Sequence, residues 1–308
     1  MQVLYFFESI RNPVCDFIMS LVTRLGEETI FIALAILVFW CFDKKHGYFL
    51  ITIGFLGTVI NQFLKVLFRI PRPWVKDPNF TIVESAREAA TGYSFPSGHT
   101  QSAVGSFGAI ARFTRKNWLK ILCIVIVVLV PISRMYLGVH TLLDVGVSFI
   151  IATALVLGIY PLIKLSDKKP IIMPILLGAT IVIALASYIF IKTYNFPADA
   201  DMENIMHGAE SVVKLLGASV GVLLSYFIEK KYINFETKGH ILTQIIKVVI
   251  GLLILIGIKS LLKTPLNALL GVDFGNAVRY FILIVVAVLG WPLAFKPIDK
   301  LVNKLLKK

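Results

Sequence analysis

The sequence predicts an all-α polytopic membrane protein with about nine transmembrane helices, as composition, apolar segment length and charge distribution each indicate. Hydrophobic residues make up 57% of the 308 residues, which exceeds their share in ordinary soluble domains. Apolar stretches of about 17–25 residues are long enough to cross a bilayer as helices. The chain offers nine such stretches, at 27–42, 47–69, 97–113, 118–135, 141–163, 171–192, 207–228, 241–262 and 277–295.

The amino-terminal residues 1–26 differ from these stretches because apolar and charged side chains alternate there and Pro13 interrupts them. We expect this segment to form an interfacial, amphipathic helix pair and not a span. The segment at 27–165 holds the most informative polar residues and is expected to form a catalytic transmembrane core. The segment at 166–308 is expected to add further transmembrane helices and a basic cytoplasmic tail.

The positive charge predicts the orientation of the chain. If nine helices alternate across the bilayer, five connections rich in Lys and Arg fall on one face: 44–45, 112–120, 164–169, 230–238 and 296–308. Basic loops remain in the cytoplasm, so the amino terminus and the loops at 70–95 and 134–140 are expected outside. This distribution accounts for the net charge of +13 without a nucleic-acid partner, since no basic stripe with interleaved aromatic residues is present.

The polar residues of the core fall into three short blocks along the chain. The first block supplies two cations, and the second supplies a turn of small residues. Lys65 and Arg72 are seven residues apart, with Pro73 next, so one helix and its exit can present both cations to an anion. The alternative is that they reach lipid headgroups from the helix end. In Pro96-Ser97-Gly98-His99, Ser97 is suited to cap a helix and Gly98 leaves room for an anion at the helix N-terminus. The same tetrapeptide also reads as a plain turn and cap.

The third block contains Arg134, His140 and Asp144. If His140 begins a helix, Asp144 lies on the same face one turn later and can fix the imidazole tautomer, leaving the other nitrogen free to attack phosphorus. The alternative is a buried polar pair that ties helix ends together. Arg134 can bind phosphate oxygens through two parallel N–H groups. All three blocks fall at helix ends on one face of the membrane, where clustered ionisable groups indicate a functional site.

Taken together, the three blocks resemble the type 2 phosphatidic acid phosphatase (PAP2) superfamily over roughly residues 47–163, and every signature position is matched. The resemblance implies a metal-independent phosphatase without a cofactor. It implies that His140 forms a phosphohistidine, that Asp144 orients this imidazole and that His99 protonates the leaving oxygen. It further implies that the phosphate is held by Lys65, Arg72, Ser97, Gly98 and Arg134.

The favoured function is hydrolysis of a lipid phosphate monoester or diphosphate, with polyprenyl, glycerolipid and sphingoid substrates left open. The expected setting is a plasma membrane, of a bacterium, with the pocket on the extracytoplasmic face. Nine spans with an external amino terminus also resemble the glucose-6-phosphatase branch, so a sugar phosphate is an alternative. The short loop at 74–95 offers little material for a sugar-binding cap. A lipid transporter or a phosphotransferase using the same pocket is a further alternative, and a homodimer is compatible with the sequence.

Overall fold

The computed structural model describes residues 1–306, and every regular element in that range is helical. A short 3₁₀ turn at Glu84–Ala86 and π-helical or 3₁₀ turns at Glu229–Ile233, Val286–Gly290 and Trp291–Ala294 supplement the α-helices. The α-helices are α1 (Gln2–Ser9), α2 (Pro13–Arg24), α3 (Glu28–Cys41), α4 (Lys44–Phe68), α5 (Pro73–Lys76), α6 (Gly98–Phe113), α7 (Asn117–Tyr136), α8 (Leu142–Leu165), α9 (Ile172–Thr193), α10 (Met202–Ile228), α11 (Ile241–Leu261), α12 (Lys263–Leu270), α13 (Val272–Val285) and α14 (Phe295–Leu305).

Each of the nine apolar stretches coincides with a helix, so the all-helical membrane fold is confirmed. Seven helical stretches are long and apolar enough to cross a membrane: Lys44–Lys76, Asn117–Tyr136, Leu142–Leu165, Ile172–Thr193, Met202–Ile233, Ile241–Leu270 and Val272–Leu305. The other two expected spans correspond to α3, with 14 residues, and α6, with 16 residues. Both are shorter than the length of about 17–25 residues that is typical of a straight crossing, so the count of nine spans stays a prediction.

The chain forms two compact units, and the first comprises Met1–Ile32, Leu56–Pro161 and Ile189–Ala209. Within it α7 is central, since α6, α2 and α1 all pack against it. The expected helix break at Pro13 is present because Pro13 opens α2, where its fixed φ angle and missing N–H are tolerated. Asn12 caps this helix, its side-chain oxygen accepting a hydrogen bond from the Cys15 N–H at 3.0 Å.

The second unit comprises Ala33–Phe55, Leu162–Tyr188 and the chain from Glu210 onward. Close packing of α10 on α13 depends on Gly217, because a Cβ atom there would lie 2.0 Å from the carbonyl oxygen of Ala277. Near the middle of α10, Lys214 forms an ion pair with Glu210 at 2.7 Å. The division of the chain at residues 26 and 165 stays a prediction.

Candidate active site

The eight residues expected to form the site all lie in the first unit, at the ends of helices. Lys65 occupies the last turn of α4, Ser97 is the N-cap of α6, Arg134 occupies the last turn of α7 and Asp144 the first turn of α8. Six of the eight are buried: Lys65, Arg72, Ser97, Arg134, His140 and Asp144. Buried charges at one place require partners, so the contacts of each side chain indicate what the site is arranged to bind.

The pairing of His140 with Asp144 arises differently from the expectation that both lie on one helix. Helix α8 begins at Leu142, so His140 precedes it. Thr141 is the reason, because it caps the helix: its N–H donates to Asp144 Oδ2 at 2.7 Å, and its Oγ1 accepts from the Asp144 N–H at 3.3 Å. The carboxylate that caps the helix also faces the imidazole, with Asp144 Oδ2 lying 3.5 Å from His140 Nδ1.

Ser94 completes this pair, although sequence reasoning did not identify it. Its side chain is fully buried. Its hydroxyl donates to Asp144 Oδ2 at 2.6 Å and lies 3.5 Å from His140 Nδ1. A hydroxyl both donates and accepts, so Ser94 can accept from the imidazole Nδ1–H while it donates to the carboxylate.

The contacts of His140 assign its tautomer. Arg72 Nη1 lies 2.9 Å from His140 Nε2, and since a guanidinium has only donors, Nε2 must carry the lone pair. The proton then resides on Nδ1, on the side of Asp144. Burial, followed by the positive charges of Arg72, Arg134 and Lys65, lowers the pKa of the His140 imidazole well below its usual value. The imidazole is therefore neutral, as a nucleophile must be.

Lys65 and Arg72 are held by backbone carbonyls of the loop before α6. Arg72 donates from Nη2 to the Thr91 oxygen at 2.6 Å and from Nε to the Gly92 oxygen at 3.0 Å. Lys65 donates from Nζ to the Tyr93 oxygen. Gly92 has a φ angle of +67°, in the left-handed region that glycine adopts without strain. Three successive carbonyls thus fix two of the three cations expected to bind phosphate.

Arg134 and His99 differ from these two cations because they have buried donors without a partner. Arg134 is fully buried. Its Nε and Nη2 atoms have no hydrogen-bond partner, and neither has Nε2 of His99. The Nε–H and Nη2–H groups of a guanidinium lie on one edge and point the same way, which suits two oxygens of a phosphate. Buried polar groups left unpaired are costly, so this arrangement indicates a site for a polar ligand.

The N-terminus of α6 adds backbone donors to the same region. Ser97 accepts from the Thr100 N–H at 3.4 Å, as a cap residue does. A Cβ atom added at Gly98 would have only Asn61 Oδ1 within 4 Å, at 4.0 Å, so the space above this helix end is open. The first N–H groups of a helix favour an anion there. Asn61 is buried in α4, one turn before Lys65, and its Nδ2 atom has no partner.

Four residues near the site were not identified from the sequence: Thr23, Asn61, Ser94 and Thr141. Only Thr141 carries a local signal, since Thr-x-x-Asp at 141–144 fits the capping pattern at a helix start. Thr23 is buried, and its Oγ1 accepts from Arg134 Nη1 at 2.8 Å across 111 residues of sequence. A contact at that separation has no sequence signature in a single chain.

Two segments of the chain match known protein families. Residues 46–168 match the PAP2 superfamily, and residues 213–303 match the transmembrane extension of PAP2 superfamily phosphatases. The first segment contains all eight residues placed above in the site. The second lies entirely in the second unit. No solved structure matches the chain.

Curated relatives with similar sequences are phosphatases of phosphorylated lipids by name. Sphingosine-1-phosphate phosphatase 2 of Mus musculus is 26% identical over 71% of this chain and 60% of its own length. Undecaprenyl-diphosphatase BcrC of Bacillus subtilis is 30% identical over 46% of this chain and 71% of its own length. Phosphatidylglycerophosphatase B of the same bacterium is 28% identical over 52% of this chain and 79% of its own length. The chain thus spans less than two thirds of the mouse protein and more of the two bacterial ones.

Proposed function

This chain belongs to the PAP2 superfamily of integral-membrane phosphatases, and we propose that it hydrolyses a lipid phosphate monoester or diphosphate without a metal ion, through a phosphohistidine at His140. One observation carries the proposal. The neutral His140 imidazole lies in a buried site where the parallel Nε and Nη2 donors of Arg134 and the Nε2 atom of His99 have no protein partner. A phosphate group satisfies these donors and presents its phosphorus to the lone pair of His140.

In the first step His140 Nε2 attacks phosphorus while the bond from phosphorus to the leaving oxygen breaks. When no phosphate is bound, Arg72 Nη1 donates a hydrogen bond to the lone pair of His140 Nε2. Before attack, Arg72 Nη1 must donate to a phosphate oxygen instead, which frees this lone pair. The proton on Nδ1 and the carboxylate of Asp144 stabilise the positive charge that develops on the imidazole. His99 enters this step as the imidazolium, donates its Nε2 proton to the leaving oxygen, which departs as an alcohol or a phosphate, and is left neutral.

In the second step a water molecule attacks the phosphohistidine, and the nitrogen–phosphorus bond breaks. His99, now without its proton, accepts one from this water, which restores both imidazoles and releases inorganic phosphate. Phosphoryl transfer depends mainly on positioning and on stabilising charge on the equatorial oxygens. Lys65, Arg72 and Arg134 supply three positive charges for this purpose, together with the N–H groups at the start of α6.

The lipid class of substrate rests on the relatives and on the position of the site. The three relatives described above are named for sphingosine 1-phosphate, undecaprenyl diphosphate and phosphatidylglycerophosphate, all of which carry long apolar chains. The proposed site lies at helix ends. Leu142 and Leu143, next to the catalytic pair, have exposed side chains. A substrate whose phosphate enters the site while its chains stay in lipid fits this arrangement better than a sugar phosphate does.

The proposed setting is nine membrane crossings in a bacterial plasma membrane, with the site on the extracytoplasmic face. The five basic connections support this orientation. In a variant with its native cysteines replaced, we expect Glu84→Cys to react with an impermeant thiol reagent in intact cells and Lys116→Cys to resist it. Both positions are exposed, so the reverse pattern overturns the orientation.

The test of the proposed function is phosphate release by the full-length protein in detergent and excess EDTA. We expect the wild type to release phosphate from at least one of polyprenyl phosphate and diphosphate, phosphatidic acid, phosphatidylglycerophosphate and sphingosine 1-phosphate, and His140→Ala to release none. His240→Ala, at the exposed start of α11, is the control and retains activity. An alkali-stable, acid-labile phosphoryl adduct that forms in the wild type and not in His140→Ala supports the covalent step.

Glucose 6-phosphate is assayed beside these lipids, and a preference for it would replace the lipid proposal with the sugar alternative. Phosphate release that requires added Mg²⁺ would contradict the direct histidine mechanism. Transfer of phosphate to an added alcohol, at the expense of hydrolysis, would assign the chain as a phosphotransferase. Lipid transport without hydrolysis of any of these substrates would refute the enzyme proposal.

A further inference from the structure

The carboxyl end of α2 and the turn after it contact two residues of the proposed active site. Thr23 Oγ1 accepts a hydrogen bond from Arg134 Nη1 at 2.8 Å. Gly26 packs against the backbone of His99, since a Cβ atom there would lie 2.8 Å from the His99 carbonyl oxygen and 2.8 Å from Cγ1 of Val130. These residues precede the segment that matches the superfamily, which begins at residue 46.

Helix α2 is attached to the last turn of α7, the turn that contains Arg134. Tyr136 donates from its hydroxyl to Asp16 Oδ1 at 2.7 Å, and Arg11 Nε donates to the Tyr136 carbonyl oxygen at 3.1 Å. Arg11 Nη1 also donates to the Thr81 carbonyl oxygen at 2.8 Å. The position of Thr23 is therefore fixed relative to Arg134 by contacts other than its own.

The hydrogen bond from Thr23 determines which donors of Arg134 are available. A guanidinium rotates with its side chain and can present either of its edges or its end to a ligand. Thr23 occupies Nη1 and leaves the parallel donors Nε and Nη2 without a partner. Glu27, which follows in the turn after α2, is a carboxylate that acts on Arg134 electrostatically. The amino-terminal segment thus supplies both a hydrogen-bond acceptor and a negative charge to Arg134.

We propose that Thr23 is a positioning residue for phosphate binding, which holds Arg134 so that its Nε and Nη2 donors together face the substrate phosphate. The amino-terminal segment is then part of the phosphate site and not only a membrane-surface element. This inference rests on the proposed phosphatase function, because it takes phosphate as the ligand of Arg134. The opposite face of α2 remains free for lipid, with Phe17, Ile18 and Leu21 exposed.

The variants Thr23→Val and Thr23→Ser test the proposal. Valine has nearly the same shape and no acceptor, and serine keeps the acceptor. In full-length protein in detergent, we expect Thr23→Val to raise both the KM and the inhibition constant of inorganic phosphate about tenfold, as the loss of one hydrogen bond to a charged group predicts. Thr23→Ser is expected to stay within about twofold of the wild type. A purely structural defect lowers the active fraction and kcat, and leaves the phosphate inhibition constant unchanged.

Two controls make the outcome specific. Ser20→Ala removes a hydrogen bond of α2 to Ser85, at 3.0 Å, that does not involve Arg134, and it should leave the phosphate inhibition constant unchanged. In an Arg134→Lys background, Thr23→Val should have no further effect on this constant, because the residue it orients is absent. Additive effects of the two substitutions would overturn the inference, as would a phosphate inhibition constant of Thr23→Val equal to that of the wild type.

Direct binding of inorganic phosphate, measured by calorimetry, separates this inference from the proposed function. If the wild type hydrolyses none of the substrates but binds phosphate more tightly than Thr23→Val, the phosphatase proposal fails and the positioning role stands. If hydrolysis is present and both proteins bind phosphate equally, the positioning role fails alone. A wild type that neither hydrolyses nor binds phosphate refutes both.

Discussion

The substitution Ser94→Ala tests whether the proposed catalytic pair, His140 and Asp144, depends on a third side chain. Removing the hydroxyl deletes a donor that lies 2.6 Å from Asp144 Oδ2. The carboxylate oxygen then keeps the Thr141 N–H, at 2.7 Å, and the longer contact to His140 Nδ1, at 3.5 Å. Alanine fits the space without strain because it is the smaller residue, so the substitution isolates the hydrogen bond. Asp144 becomes less firmly oriented toward the imidazole that it must stabilise.

The magnitude follows from the charge and burial of the acceptor. Ser94 and Asp144 are both almost completely buried, and a hydrogen bond to a charged group contributes about 1.5–3 kcal/mol. If this loss is expressed fully in the transition state, where the imidazole carries positive charge, kcat falls about 10- to 150-fold, since each 1.36 kcal/mol is a factor of ten. The KM should change little, because Ser94 has no contact with the unpaired donors assigned to phosphate.

The assay is steady-state phosphate release by the detergent-solubilised full-length protein on its preferred lipid substrate. Ser148→Ala is a matched control. Ser148 lies in α8 and is fully buried, as Ser94 is, but its hydroxyl donates to the backbone oxygen of Asp144 at 3.0 Å and not to the carboxylate. We expect Ser148→Ala to stay within about threefold of the wild type, as the loss of an ordinary helix-internal hydrogen bond predicts. A kcat of Ser94→Ala within threefold of the wild type, or equal losses in both variants, would refute the reasoning.

Three further predictions concern charge, pH and packing. Arg134→Lys keeps the charge but loses the two-donor edge, so kcat/KM should fall about 10- to 100-fold. Arg112→Lys changes a cation of α6 outside the site and should have little effect in the same assay. Equal losses of kcat/KM in the two variants would contradict this prediction. Because the pKa of His140 is lowered well below its usual value, its neutral imidazole persists on acidification. Protonation of His140 should therefore cause no fall in kcat/KM, corrected for substrate ionisation, as the pH is lowered to about 6.5; an acid limb at or above that pH counts against it. Gly217→Ala should destabilise the protein by about 1–3 kcal/mol through overpacking against a neighbouring helix backbone. Gly257→Ala, where no atom lies within 4 Å of the added Cβ, should be neutral or stabilising in thermal unfolding, and equal melting shifts would exclude this account.

Helix positions were predictable because apolar length is a local property. All nine apolar stretches fall on helices, and most boundaries agree within a few residues. Two of the nine stretches form helices too short to count among the seven helices that can cross a membrane, namely α3 and α6. Helix α6 begins with the site motif and carries several polar residues on its buried face, including Thr100, Gln101 and Ser106. A helix that begins with the proposed site motif and packs closely on α7 contains fewer apolar residues than a helix surrounded by lipid.

Capping chemistry explains why one local detail was wrong. The four-residue spacing of His140 and Asp144 fits one helix face, but a helix that began at His140 would leave Thr141 inside its first turn. Thr141 is instead the cap residue, and its reciprocal bonds with Asp144 start the helix at Leu142. The imidazole is consequently outside the helix. It lies opposite the same carboxylate because Asp144 serves as both cap and partner.

The two arginines of the site show what sequence alone does not distinguish. Arg72 and Arg134 were both expected to bind phosphate, because both were placed at the ends of apolar helices expected on one face of the membrane. In the structure Arg72 donates to three backbone carbonyls and to His140 Nε2, whereas Arg134 donates to Thr23 and keeps one edge unpaired. We therefore expect a bound phosphate to find free donors at Arg134 first and to compete with the imidazole for Arg72. The groups that create this difference are the backbone carbonyls of Thr91, Gly92 and Val139 and the side chain of Thr23. A sequence does not show which backbone carbonyls will face Arg72. It also does not show that Thr23, 111 residues away, will contact Arg134.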